Sequence, residues 1–356
     1  MAIIVGFPGS NPLLQGTAAT DAIFGNGLGN ISGVAGSDRI FGLGGDDEIT
    51  GDGVNILASG KGGNDLIQGG DGDDTVWGDA SGTLYGIGGN DVLYQNAGAG
   101  RMVGDAQNVA SGAVCGDDRL YGGNSMIGDA VGDLIDVRGG NDLLDAGMSA
   151  FGSSMDGDTL GELAGNSVGG NDILLGSAFS EVITGDGGLG LYGAARGGND
   201  TLRGRGGGDD LYGDGDSMAG RAVGGRDKLD GGAGDDLIIG DATDLNDFAR
   251  GGDDRLVGGA GDDRLWGDGV LLGDATGGRD RFVFSGNFGD DSILDFRQAD
   301  GDQIILQGLT QSEVQLSIVT VNAANDSLLI TTLGDDSITL VGFTGSLTPG
   351  VDIVFA

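Results

Sequence analysis

One five-residue pattern, glycine, any residue, aspartate, any residue and an apolar residue, recurs along most of this chain and constrains its fold more than any other feature. Fifteen of the aspartates in this context are taken as repeat positions, and several neighbours, such as Asp65 and Asp74, are nine residues apart. Self-similarity of this kind is typical of a solenoid, whose repeats must stack because none can bury its apolar face alone. The fifteen are Asp38, Asp47, Asp65, Asp74, Asp91, Asp118, Asp142, Asp172, Asp200, Asp210, Asp227, Asp236, Asp254, Asp263 and Asp280.

The residue types in the pattern point to a metal site. Glycine adopts backbone conformations that other residues avoid and lets neighbouring chains approach closely, so tight glycine turns can aim several carbonyl oxygens at one point. Aspartate adds a short carboxylate, and a donor set made only of oxygen suits calcium. The apolar residue two positions later is expected in a short strand, facing the interior of the solenoid. We therefore predict that the fifteen aspartates bind calcium.

A second motif, Gly-Asp followed by alanine or glycine, recurs mostly at steps of 26 to 28 residues. A weaker copy is Asp158, which is followed by Thr159. Between each copy and the next glycine-rich turn lies a degenerate segment whose apolar residues, such as Ile56 and Leu84, are predicted to point inward. We predict that the aspartates of this motif are also calcium ligands: Asp52, Asp79, Asp105, Asp129, Asp186, Asp214, Asp241 and Asp268.

Two architectures fit these periods. A two-sided coil of two nonapeptides would contain about 18 residues, so that a period near 27 would be one and a half coils. A three-sided coil would contain about 27 residues and would stack each segment on its own kind. The spacing alone leaves both open.

Three nonapeptides are complete, GGDGDDTVW (69–77), GGAGDDLII (231–239) and GGAGDDRLW (258–266). They resemble the GGxGxDxUx repeat of the RTX, or hemolysin-type calcium-binding, family, and the resemblance covers residues 20–285. It implies an all-β, right-handed parallel β-roll or β-helix that holds roughly 10–20 calcium ions at about one per nonapeptide.

Three regions are predicted. Residues 1–35 form an N-terminal arm or cap strand with degenerate repeat, residues 36–281 form the calcium-binding solenoid, and residues 282–356 form a C-terminal β cap. The last region resembles the segment that follows the repeats in RTX enzymes, which implies an uncleaved type I secretion signal. An expected lack of an N-terminal signal peptide agrees with export by that route.

Composition excludes several function classes. The 356 residues include 81 glycines, no histidine and one cysteine, Cys115, so histidine-dependent catalysis and thiolate zinc sites are not expected. A formal charge of −38 argues against nucleic acid as a partner, and no apolar run is long enough to span a membrane. We therefore predict no enzymatic activity.

The expected function is structural. We predict a protein that is secreted by a Gram-negative bacterium, folds on binding calcium and assembles with copies of itself at the cell surface as a layer, matrix or filament. Its expected partners are those copies and the type I secretion machinery. The alternative is a calcium-dependent adhesin or polysaccharide-binding module that uses arginines, and a carbohydrate-active enzyme is third. The arginines are Arg101, Arg196, Arg203, Arg205 and Arg221.

Overall fold

The chain winds into a three-sided solenoid of parallel strands. In this computed structural model, residues 1–7, 13–147, 149, 152–322, 325–334 and 336–356 are described, with the side chains of 318–326 left out. A typical coil runs through Arg39–Gly44 on face 1, Glu48–Thr50 on face 2 and Asn55–Ile56 on face 3. The next coil then begins with Leu66–Asp71, directly beside Arg39–Gly44.

Each face is a stack of strands that pair with the same segment of the neighbouring coils. Face 1 contains Leu13–Gln15, Arg39–Gly44, Leu66–Asp71, Val92–Tyr94, Arg119–Tyr121, Leu143–Asp145, Ile173–Leu175, Thr201–Arg203, Lys228–Ala233, Arg255–Ala260, Arg281–Ser285, Gln303–Gln307 and Ile353–Phe355. Face 2 contains Ile3–Val5, Ala22–Phe24, Glu48–Thr50, Thr75–Trp77, Arg101–Val103, Ser125–Ile127, Ser154–Asp156, Val182–Thr184, Asp210–Tyr212, Leu237–Ile239, Arg264–Trp266 and Asp290–Ile293. Face 3 contains Asn30–Ile31, Asn55–Ile56, Ala80–Leu84 and Ala106–Val109, and a second sheet of Leu134–Ile135, Glu162–Ala164, Gly190–Leu191, Gly215–Met218, Ala242–Leu245 and Val270–Leu271.

The coil length decides between the two predicted architectures. The backbone N–H of Asp38 donates to the carboxylate of Asp65, 27 residues later, and the equivalent bond from Asp200 also spans 27 residues. Between Asp38 and Asp280 the coils span as few as 24 residues, from Asp118 to Asp142, and as many as 30, from Asp142 to Asp172. The three-sided coil is therefore the one formed, because it stacks every segment on its own kind.

The interior is filled by one apolar side chain per strand. The residue two positions after each predicted aspartate is fully buried in fourteen of the fifteen contexts, from Ile40 to Phe282. Tyr212 is the exception, because Leu211 points inward in its place. The degenerate third segment also packs inward through Ile56 and Leu84, as predicted. Short strands are thus held by a continuous ladder of aliphatic contacts.

The two ends of the solenoid differ. Ile3–Val5 pairs in parallel with Ala22–Phe24 and lies at the edge of face 2. At the other end Ser337–Leu340 adds to Asp290–Ile293 and starts an antiparallel meander with Asn325–Thr332 and Val314–Asn322. Parallel pairing thus extends beyond residues 36–281 in both directions, and the predicted three-part division stays a prediction.

The described residues contain one short 3-10 helix, Gln311–Glu313, and no α-helix. None of them forms a helix that could cross a membrane.

Candidate metal centres

Glycine turns bring the backbone of neighbouring coils closer together than a side chain would allow. A β-carbon built on Gly51, in the turn between faces 2 and 3, would lie 1.8 Å from the carbonyl oxygen of Gly78 and 2.1 Å from Oδ2 of Asp65. A β-carbon on Gly62 would lie 1.9 Å from Oδ1 of Asp79. The space beside these glycines is therefore lined by carbonyl and carboxylate oxygens.

The first row of acids, which we call the face-1 row, stands immediately before the face 1 strands. Each backbone N–H donates to Oδ1 of the next member, as from Asp38 to Asp65 at 2.6 Å and from Asp91 to Asp118 at 2.6 Å. This bond fixes the carboxylate but uses only one of its oxygens. The row is Asp38, Asp65, Asp91, Asp118, Asp142, Asp172, Asp200, Asp227, Asp254 and Asp280, followed by Asp302, whose Oδ1 accepts the N–H of Asp280 at 3.1 Å, and every member is buried.

The second row, the Gly-Asp row, follows the face 2 strands and faces the first. Its carboxylates accept the N–H of a glycine that precedes the face-1 row, as from Gly63 to Asp52 at 2.8 Å and from Gly252 to Asp241 at 2.7 Å. Nine consecutive coils each supply one buried member: Asp52, Asp79, Asp105, Asp129, Asp158, Asp186, Asp214, Asp241 and Asp268. The weak copy Asp158 thus takes its place in the row.

These two rows together form one acidic column inside the solenoid. Carboxylate oxygens of Asp38, Asp52 and Asp65 lie within 4.8 Å of one another, and the same holds for Asp105, Asp129 and the sulfur of Cys115. At nine members of the face-1 row, the Oδ2 oxygen has no hydrogen-bond partner in the described part of the chain. These members are Asp65, Asp91, Asp118, Asp142, Asp172, Asp200, Asp227, Asp254 and Asp280. Such buried, partnerless oxygens are costly unless a cation binds them.

Electrostatics of the column agree with that requirement. Burial raises the pKa of Asp52 to about 6, against its hydrogen bonds, which lower it. Burial, with the charge of Asp52, raises the pKa of Asp38 to about 7. For Asp65, burial and the same neighbouring charge hold the pKa well above its usual range. Carboxylates in this arrangement favour either a proton or a metal ion, and oxygen donors without nitrogen suit a hard cation.

A third row, the face-2 row, stands before the face 2 strands and is interrupted. The predicted members Asp47, Asp74, Asp236 and Asp263 are buried there, in the turns of the GGxGxD type. Between its two segments the equivalent positions hold Gly100, Asn124 and Ser153, which precede Arg101–Val103, Ser125–Ile127 and Ser154–Asp156. The predicted ligands thus fall into two groups, the column and this separate row.

One predicted ligand, Asp210, lies outside the three rows. The N–H of Asp209 donates to Oδ1 of Asp236 at 2.8 Å, so Asp209 occupies the row, while Asp210 is the first residue of its strand and pairs with Leu237. Both aspartates have glycine two residues before and an apolar residue two residues after. Strand alternation decides, because Leu211 rather than Tyr212 points into the core.

Sequence reasoning did not select Asp302, which continues the face-1 row, or four acids that the structure places in the face-2 row, Asp21, Glu181, Asp209 and Asp291. Asp291 has Gly289 two residues before and Ile293 two residues after, so the same pattern could have found it. Asp21 and Glu181 lack the preceding glycine. In the sequence, only the acid and the apolar residue two positions later mark these two sites.

Comparison with known proteins agrees with this geometry. The hemolysin-type family model described as RTX calcium-binding nonapeptide repeat (4 copies) matches five segments of the chain, residues 24–55, 57–81, 194–217, 221–244 and 248–269. No curated protein matches the chain. The matched segments contain members of all three rows, and such repeats imply Ca²⁺ binding. The chain therefore contains hemolysin-type RTX calcium-binding nonapeptide repeats.

Proposed function

We propose that this chain is exported unfolded by a type I system and that calcium outside the cell folds it into a building block of a surface layer, matrix or filament. RTX repeats are typical of secreted proteins. The observation that supports calcium-driven folding is the column of buried carboxylates, in which every member of the face-1 row from Asp38 to Asp280 has an oxygen without a hydrogen-bond partner in the described residues. Burying such charges without compensation costs several kcal/mol each, which is comparable with the whole stability of a domain, about 5–15 kcal/mol.

A calcium titration followed by circular dichroism tests the folding step. Extracellular modules bind calcium with Kd of about 10⁻⁴–10⁻³ M, so β signal should appear at about 0.1–1 mM calcium. Magnesium is the control, because its octahedral geometry suits a different cage. A chain that has full β signal in excess chelator would contradict calcium-driven folding.

Self-assembly is supported by the exposed end of the solenoid. The first strands of faces 1 and 2 lie at sheet edges, and their outward apolar residues Leu13 and Ile3 are 68% and 64% exposed. An open strand edge is a template for pairing with another chain, and head-to-tail contact between unlike ends propagates without closing.

Sedimentation in millimolar calcium tests assembly. We expect large assemblies that dissolve with chelator, and we expect the double substitution I3K and L13K to prevent them, because edge lysines block strand pairing. The matched control is L189K, since Leu189 is 56% exposed but lies in a middle coil, away from both ends. A wild-type chain that stays monomeric at high micromolar concentration would refute the building-block role.

Export is tested separately from folding. Residues 307–356 include the tail strand Ile353–Phe355. A chain that ends at residue 306 should stay inside the cell, whereas a chain without residues 1–7 should still reach the medium. The opposite result would assign the export signal to the other end.

A second candidate function, binding of an anionic polysaccharide, is favoured by a stripe of exposed side chains between faces 3 and 1. Parallel bridges join Arg138, Val168, Arg196, Val223 and Arg250 on consecutive coils. An arginine therefore recurs every second coil, about 9.5 Å apart for strands spaced about 4.7–4.9 Å. On a chain with a charge of −38, this stripe offers regularly spaced cations to an extended polyanion.

A cavity of about 440 Å³ lies along this stripe, lined by Ala194, Arg196, Arg221, Val223, Phe248 and Arg250. Two of the five arginines predicted for a polysaccharide face, Arg196 and Arg221, are among its lining residues. The double variant R196E and R250E should abolish binding of a polyuronate measured by calorimetry in calcium, whereas R101E on face 2 should not. Equal binding of the polyuronate by the wild type, the double variant and R101E would exclude the stripe as the binding surface.

A further inference from the structure

We propose that the acidic rows are closed at their ends by N–H donors of the chain itself, which stand where a cation binds in the intervening coils. Asn26 and Arg297 close the column, Gln95 closes the first segment of the face-2 row, and the three side chains thereby set how many cations the solenoid holds. The inference rests on the proposed function, because it assumes that the rows bind calcium.

Asn26 occupies the position of the Gly-Asp row one coil before Asp52. Its backbone N–H donates to the carbonyl oxygen of Asp52 at 2.9 Å, just as the N–H of Asp52 donates to that of Asp79 at 3.1 Å. The Asn26 side chain is fully buried and accepts the N–H of Gly36 through Oδ1 at 3.1 Å. Asn26 thus supplies an amide where the next nine coils supply the carboxylates of the Gly-Asp row, from Asp52 to Asp268.

The amide nitrogen of Asn26 is surrounded by oxygen. It donates to the carbonyl oxygen of Gly36 at 3.0 Å, to Oδ2 of Asp38 at 2.7 Å and to Oδ1 of Asp52 at 2.9 Å. With three acceptors around it, this atom is the NH₂ group and not the amide oxygen. Two carboxylates and a carbonyl therefore converge on one point that a donor fills.

The same point one coil later lacks such a donor. The equivalent atoms are the carbonyl oxygen of Gly63, Oδ2 of Asp65 and Oδ1 of Asp79, and neither carboxylate oxygen has a hydrogen-bond partner in the described residues. Asp65 is 2% exposed and Asp79 is fully buried. Since Asp52 replaces Asn26 and has no N–H in its side chain, a bound cation is the group that can supply the missing positive charge.

Gln95 plays the equivalent part in the face-2 row. Strand pairing places it opposite Gly69 of the preceding coil, one residue after Tyr94 and Gln68. Its Nε2 donates to the carbonyl oxygen of Gly72 at 2.7 Å, to Oδ2 of Asp74 at 3.1 Å and to the carbonyl oxygen of Ala97 at 3.4 Å.

One coil earlier, Oδ2 of Asp47 has no partner in the described residues, and after Gln95 the row has Gly100 in place of an acid. The amide thus stands at the last oxygen-lined turn before the interruption.

Arg297 closes the far end of the column. Its Nη1 donates to Oδ2 of Asp268, the last member of the Gly-Asp row, at 2.6 Å, and its Nη2 donates to the carbonyl oxygen of Gly269 at 3.1 Å. The permanently charged guanidinium therefore donates to the last carboxylate of the Gly-Asp row, as the amide of Asn26 donates to the first carboxylate, that of Asp52.

Replacing a closing donor should create a cation site. N26D supplies the carboxylate that the next nine coils have. Q95G restores the glycine of the complete repeat and frees the three oxygens that the amide binds. The matched control is N64D, because Asn64 is exposed and aspartate stands at the equivalent turn position in Asp117 and Asp253. Bound calcium per chain is measured by equilibrium dialysis and elemental analysis, with circular dichroism to establish that each variant is folded.

We expect one additional calcium ion per chain for N26D, one for Q95G, two for the double variant and none for N64D. Wild-type numbers in folded N26D and Q95G would overturn the inference while leaving calcium binding by the rows intact. An N26D chain that does not fold in saturating calcium would also count against the inference. In that case the number of calcium ions bound by Q95G tests the inference independently. A wild-type chain without bound calcium would overturn the proposed function itself.

Discussion

A single buried acid outside the rows offers a direct measure of what an uncompensated carboxylate costs this fold. Asp156 is the last residue of the face 2 strand Ser154–Asp156, where its partners on the adjacent coils are Ile127 and Thr184. It is 4% exposed, and its Oδ2 has no hydrogen-bond partner in the described residues. Burial alone raises the pKa of Asp156 to about 7.

The sign and size of the effect follow from that pKa. An acid whose pKa is higher in the folded than in the unfolded chain stabilises the fold only while protonated, so stability is lost as the pH rises from 3.8 to about 7. A shift of about three units costs about 4 kcal/mol at pH 8 and about 1.5 kcal/mol at pH 5, because each unit is worth about 1.4 kcal/mol. D156N should therefore raise the free energy of unfolding by up to these amounts.

Urea unfolding in saturating calcium, followed by circular dichroism between pH 5 and pH 8, measures the gain. The control is D274N, because this substitution removes the same charge from an exposed residue. A gain that does not grow with pH would show that ionisation of Asp156 is not its cause. A variant that is less stable than the wild type at pH 8 would refute the reasoning, since it would mean that the carboxylate has a cation or other partner.

Three further outcomes are expected. In chelator, lowering the pH from 8 to 5 should restore part of the β signal in circular dichroism, because protonation removes the charges that burial disfavours; an unchanged spectrum would contradict this. G51A should cost at least about 3 kcal/mol in urea unfolding, because its β-carbon would overlap Gly78 and Asp65, whereas G33A, with nothing within 4 Å, should cost under about 1 kcal/mol. The buried thiol of Cys115 should react with a thiol reagent in chelator and resist it in calcium, and equal rates would mean that this coil does not order with calcium.

Much of this fold was predictable because the pattern is local and strict. Glycine before the acid and an apolar residue after it fix both the turn and the side of the strand that is buried, so Ile40, Ile67 and their equivalents were identified as core from spacing alone. The exchange of Asp210 for Asp209 shows the limit of that logic. With Asp209 and Asp210 adjacent, both fit the pattern, and only the pairing of Leu211 with Ile238 in the next coil selects one.

The shape of the coil could not be predicted for a related reason. The nonapeptide describes two corners, and the third side of the coil has only short strands such as Asn55–Ile56. Whether a 27-residue period is one coil or one and a half depends on which segments stack on each other. Stacking is a contact between coils, so the sequence of a single segment does not determine it. The closing donors Asn26 and Gln95 were invisible for the same reason, because their partners Asp38 and Asp74 are brought beside them only by stacking.

Stacking and charge are coupled in this fold. Each added coil places its backbone N–H groups on the acids of its neighbour, as Asp38 does on Asp65, and so buries two more carboxylates of the column. Among the described residues, Asp268 is the only member of the column with an ion pair, to Arg297, so the chain itself offers no other charged partner to these acids. If calcium supplies the remainder as proposed, every coil that joins the stack must take up cations as it does so. Folding should then follow calcium steeply, since a nearest-neighbour stack whose every interface needs the same ligand gains or loses its interfaces together.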